Sequence, residues 1–145
     1  MNIATDPRTR DDGAVVRRIA ALMVFVAATL AVASVLHLSG SVHGRSSPFD
    51  GEHAGIAEAF IGAVLAGGAL AMRRAPGAAR AIGMGATGFA VVGFAVGLSF
   101  TTRGGHIPDI AYHLLILPVL VGSLVALVRL GRSTTLDDPL GQSPR

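Results

Sequence analysis

A chain of 145 residues has room for one domain. Its residues are 51% apolar and only 14% charged, and its mean hydropathy is +0.59, which excludes an ordinary soluble globule with about a quarter of its residues charged. The absence of cysteine excludes disulfides, thiolate metal sites, iron–sulfur clusters and thiol catalysis, and the net charge of +3 rests on arginines dispersed between segments, not on a nucleic-acid-binding patch.

Residues 1–14 mix Asp6, Asp11 and Asp12 with Arg8 and Arg10 around Pro7 and show no apolar period, which reads as a disordered N-terminal tail. Arg17 and Arg18 lead into an apolar run over 19–38. That run exceeds the about 7–15 residues of a signal-peptide core, and more apolar segments follow, so a retained first helix is expected. A loop rich in Gly, Ser and Pro covers 39–53, and the second helix is expected over 54–72. Glu58 falls inside it, where a charge is costly unless it is paired, protonated or facing a cavity.

Arg73, Arg74, Pro76, Gly77 and Arg80 form a short turn, which makes the second and third helices antiparallel neighbours. The third helix is expected over 81–100, punctuated by Gly83, Gly85, Gly88, Gly93 and Gly97. Small residues let helices approach closely in lipid. Ala59, Ala63, Gly67 and Ala71 repeat every fourth residue on the second helix, as Gly93 and Gly97 do on the third. These two faces are expected to pack on each other. Pro108 and Asp109 suit the start of a fourth helix over 110–128, and Pro118 should kink it and free a carbonyl near Leu114. Residues 131–145 read as a disordered C-terminal tail.

The expected fold class is therefore an all-α membrane protein, a four-helix transmembrane bundle with short loops spanning 15–130. Four spans place both termini on one side. That side would hold all but two of the 12 arginines, the exceptions being Arg45 and Arg103. The positive-inside rule then puts both termini in the cytoplasm and the protein in the plasma membrane, with 39–53 and 101–108 outside. The partner this implies is the lipid bilayer, with a homo-oligomer or a larger membrane complex beyond it and no nucleic acid.

With this topology His37, His43, His53, His106 and His113 all fall on or near the outer side, together with Glu58 and Asp109. Asp109 and His113 are four apart and share a helix face, so a hydrogen bond is expected between them; a carboxylate behind an imidazole fixes its tautomer and raises its basicity. His53 and Glu58 are five apart, about 140° round a helix, and share no face unless His53 precedes the helix. His37 ends the first helix at a similar depth. The candidate polar site is thus Glu58, His113, Asp109, His37 and His53. Each has a plainer role: His37 as a headgroup-level ring, His53 as a solvated side chain, Asp109 as a helix-start carboxylate, His113 in an interhelical hydrogen bond, Glu58 as a protonated carboxyl or a partner of Arg45 or Arg103. Tyr112 reads as an interface anchor. No cofactor is expected. Histidine with Asp or Glu admits a metal, but no compact ligand motif supports one.

The segments Gly55-Ile-Ala-Glu58-Ala-Phe-Ile-Gly62, Gly93-Phe-Ala-Val-Gly97-Leu and Pro108-Asp109-Ile-Ala-Tyr112-His113 resemble small four-helix integral membrane proteins of actinobacteria, mostly uncharacterised. The resemblance implies the fold and supplies no reaction. Two functions follow as expectations. The first is a non-enzymatic bundle whose small-residue faces support or regulate a membrane complex. The alternative is handling of an ion, proton, metal or small ligand through the outer His/Glu/Asp cluster. They divide on whether Glu58, Asp109 and His113 converge around a cavity.

Overall fold

The computed structural model describes residues 7–42, 46 and 49–136, with side chains over 12–42, 46 and 49–130. It runs α1 (Pro7–Leu38), α2 (Gly51–Arg74), one 3-10 turn (Pro76–Ala78), α3 (Ala79–Gly104) and α4 (Ile107–Leu136). Each helix carries a stretch long and apolar enough to cross a membrane, and the described residues form no strand.

Every helix outruns its expected bounds. Pro7 opens α1, a position where its missing N–H costs nothing, so the polar segment expected as a tail is helical from Pro7 onward. Once the apolar part has nucleated, each added residue gains a hydrogen bond, and polar side chains do not oppose that. At the other end α4 continues to Leu136 in place of stopping at 128. Residues 1–6 and 137–145, which hold the rest of the two expected tails, lie outside the described residues, as do His43 and Arg45.

The end of α1 is set by its hydrogen bonds. Ser41 N–H donates to the Leu36 carbonyl at 3.0 Å and Gly40 N–H to the His37 carbonyl at 3.1 Å, with Gly40 at φ 70°. This is a Schellman stop, and the left-handed position needs glycine. It ends the helix at Leu38 and leaves His37 in its last turn. Asp50 then caps α2, its carboxylate accepting from the N–H groups of Glu52 (2.9 Å) and His53 (3.2 Å).

α1 and α2 form the most extensive pair, α3 packs on α2 and α4, and α1 meets α3 and α4 more lightly. On α2 the buried positions are Gly55, Glu58, Ile61, Gly62, Leu65, Ala69 and Met72, and on α1 they include Met23, Val26, Leu30, Ser34 and His37. Both follow the 3–4 spacing that keeps one seam facing a partner. Gly55, where a Cβ would stand 2.8 Å from the Leu38 Cγ, and Gly62, against the Ala27 backbone, let the helices approach. Ser34 ties the pair by donating to the Gly55 carbonyl at 2.8 Å.

The four-residue stripe expected as the α2–α3 seam does not pack. Ala59, Ala63 and Gly67 are exposed, and a Cβ at Gly67 would meet nothing within 4 Å. A repeat of four drifts about 40° per step, so Ala59 to Ala71 winds about 120° round the helix, while the seven-residue series Gly55, Gly62, Ala69 drifts only about 40° in all. Gly93 and Gly97 do take close neighbours, but other ones. Ile61 of α2 fills the space over Gly93, and the His113 ring of α4 fills that over Gly97.

Candidate functional site

All four helices meet where α1 ends and α2 begins. His37, in the last turn of α1, is buried, with its side chain 5% exposed. Its Nδ1 lies 2.8 Å from Glu58 Oε2 of α2, and its Nε2 lies 3.9 Å from Asp109 Oδ1 of α4. One imidazole therefore stands between two carboxylates from different helices. Phe49, just before the α2 cap, lies over the ring with centroids 5.8 Å apart. The His37 ring is thus buried, and Glu58 takes it as a partner.

Local geometry explains why Asp109 serves His37 and not His113. Side chains on a helix lean toward its N-terminus. In the first turn of α4 the Asp109 carboxylate therefore reaches back to the His106 N–H at 3.4 Å, half of a capping box. By the same lean the His113 ring reaches back to the Asp109 main chain, and its Nδ1 donates to that carbonyl at 2.8 Å. The expected carboxylate–imidazole bond within α4 is replaced by this one. A carbonyl only accepts, so Nδ1 carries the proton, and in the neutral ring Nε2 presents a lone pair. That nitrogen points at Gly97, where a Cβ would stand 2.7 Å away.

His53 does not join the cluster. It lies in the first turn of α2 with its side chain 83% exposed and pairs with Asp50, Nδ1 to Oδ2 at 3.0 Å. The bond from its backbone N–H and then that from its side chain hold the Asp50 carboxyl below the usual range. Tyr112 is half-buried and its hydroxyl is 2.8 Å from Thr29 Oγ1 of α1. Thr29 donates to the Val26 carbonyl, so Tyr112 is the donor to Thr29. Its ring, with those of Phe94 and His113, forms an aromatic layer beneath the polar cluster.

A cavity of about 590 Å³ opens beside these groups. His37, Glu58, Asp109 and His113 line one end, with Asp50 and His53 at the mouth. The remainder is mostly apolar and includes five of the six phenylalanines, Phe49, Phe60, Phe89, Phe94 and Phe100. Sequence reasoning named none of these five as site residues. A usable signal was present: Phe89, Gly93, Val96 and Phe100 recur at 4–3–4 spacing on one face of α3. The volume and the mixture of apolar wall with a few polar groups match those of small-molecule sites. Among the described residues no group of three or more His, Cys, Asp or Glu is arranged to hold a metal ion.

No known protein family matches this chain, and neither does any curated protein or solved structure.

Proposed function

We propose that this is a multi-pass plasma-membrane protein, with both termini cytoplasmic, that handles a small ligand, ion or proton from its outer side through His37, Glu58, Asp109 and His113. The observation that carries the reading is convergence. Four titratable side chains from three helices line one end of a single cavity. Structural carboxylates in apolar helices are expensive and tend to mark ligand or proton paths. Orientation enters from the arginine distribution alone.

Access supplies the test, and a cysteine-free chain makes it simple. Ala57 is exposed and lines the cavity, while Ala111 is exposed on α4 away from it. In intact cells, Ala57→Cys should react with a membrane-impermeant maleimide and Ala111→Cys should not. Equal protection of both, or labelling of Ala57→Cys only after the cytoplasmic face is opened, would contradict the reading.

One observation favours the bundle as a partner for other chains as well. Ala59, Ala63 and Gly67 leave a smooth exposed strip on α2. A Cβ at Gly67 meets nothing within 4 Å among the described residues, so for Gly67→Leu a smaller assembly in detergent with an unchanged melting temperature would assign that strip to a partner helix. Unchanged assembly size would remove this second role.

A further inference from the structure

The geometry points to a lipophilic monocation, an amine or quaternary ammonium on an aromatic or long apolar body, as the occupant of the cavity. The inference rests on the proposed role of the cluster as a ligand site and adds the class of ligand.

Charge comes first. Both ring nitrogens of His37 face carboxylates, and its buried Nε2 has no hydrogen-bond partner although Asp109 is 3.9 Å away. A bare nitrogen there would set lone pair against lone pair. One proton at each nitrogen, kept by the ring or passed to a carboxyl, leaves Glu58, His37 and Asp109 together at a single negative charge. His113 adds a further acceptor lone pair, and no lysine or arginine is among the described residues that line the cavity. Those described residues therefore offer no lysine or arginine partner for a phosphate or carboxylate on the ligand. Apart from the Asp50–His53 pair at the mouth, the buried cluster has acceptors and one negative charge, which one monocation balances.

Wall chemistry points the same way. Aromatic faces attract cations, most strongly where water is excluded. On α3 the lining runs from Thr101 down to Phe89, about 18 Å at the helical rise. It ends where Phe60 meets Phe89 edge to face at 5.8 Å. Phe60 (62% exposed), Val92 (63%) and Val96 (52%) line the cavity and yet show much surface on the α2–α3 side. In a bilayer that side meets acyl chains, which gives a lipophilic ligand a lateral way in.

Equilibrium dialysis of the purified full-length protein in uncharged detergent, with tetraphenylphosphonium and the size-matched anion tetraphenylborate, tests the idea. Saturable phosphonium binding is expected, with the borate at least tenfold weaker. Glu58→Gln and Asp109→Asn should each weaken phosphonium binding at least tenfold. Phe89→Leu, which keeps the apolar wall and removes a ring, should weaken it severalfold, and it decides the matter if either carboxyl variant fails to assemble. Equal borate binding, or unchanged phosphonium affinity in these variants, overturns the proposal. If neutral farnesol binds saturably and depends on Glu58 while phosphonium does not, the cation class is wrong and the ligand site stands. If none of the three probes binds saturably, both are wrong.

Discussion

Replacing Gly55 by alanine tests the packing that creates the site. The added Cβ would stand 2.8 Å from Leu38 Cγ and 3.1 Å from His37 Cβ. Ordinary carbon–carbon contact starts near 3.4 Å, so the His37 Cβ makes α1 and α2 part locally by about 0.3 Å. Leu38 is 51% exposed and can carry its Cγ away by turning about χ1, but the His37 Cβ has no such freedom. Overpacking of this kind costs about 1–3 kcal/mol. The displacement acts on the Ser34 to Gly55 bond and on the His37–Glu58 pair at once. Gly67→Ala is the internal control: it meets nothing within 4 Å, and relief of glycine's helix penalty offers up to about 1 kcal/mol in favour. Reversible unfolding in mixed micelles measures both. The expected order is Gly67→Ala at or above wild type, with Gly55→Ala below it by about 1–3 kcal/mol. A Gly67→Ala variant less stable than Gly55→Ala would refute the assignment of the seam.

His37→Ala leaves the buried Glu58 carboxyl without its partner and should cost about 3 kcal/mol in the same assay, whereas Glu58→Gln keeps a group able to bond the ring and should cost no more than about 1; equal costs would count against the pair. Tyr112→Phe should lose about 1 kcal/mol and Thr29→Val at least as much, since it also gives up the bond to the Val26 carbonyl; the double variant should lose no more than Thr29→Val alone, and additive losses would contradict the shared bond. Asp50 has a carboxyl pKa lowered by its His53 bonds. Its contribution is present in full above the ordinary value of 3.8 and is lost as pH falls through the lowered folded value. Asp50→Asn, which retains the cap, should therefore show a shallower loss of melting temperature on acidification than wild type; identical pH profiles would refute it.

The helices were legible because long apolar blocks and flanking arginines carry their own signal. The grouping of His37, Glu58, Asp109 and His113 toward one end of the helices was legible too, as a shared depth along separate helices. Their mutual geometry was not, because a helix's rotation about its axis depends on which small residues admit a neighbour. The stripe Ala59, Ala63, Gly67 draws on the same two small residue types as Gly55, Gly62, Ala69, and period separates them: the second matches the 3–4 seam of α1 and the first winds away. Hydrogen bonding within α4 misled for a related reason. Four-residue spacing places Asp109 near His113, but the backward lean of helical side chains hands the imidazole the carbonyl and sends the carboxylate to His106 and His37. The phenylalanine wall escaped notice because each ring, taken singly, reads as one more apolar residue.

The account stands on Glu58, His37 and Asp109 acting as one unit drawn from three helices. Infrared spectroscopy of the carboxyl region tests this directly, with the Glu58 signal identified as what Glu58→Gln removes. Asp109→Asn and His37→Gln should each displace that signal or change the pH at which it appears. A Glu58 signal identical in wild type, Asp109→Asn and His37→Gln would contradict the shared cluster.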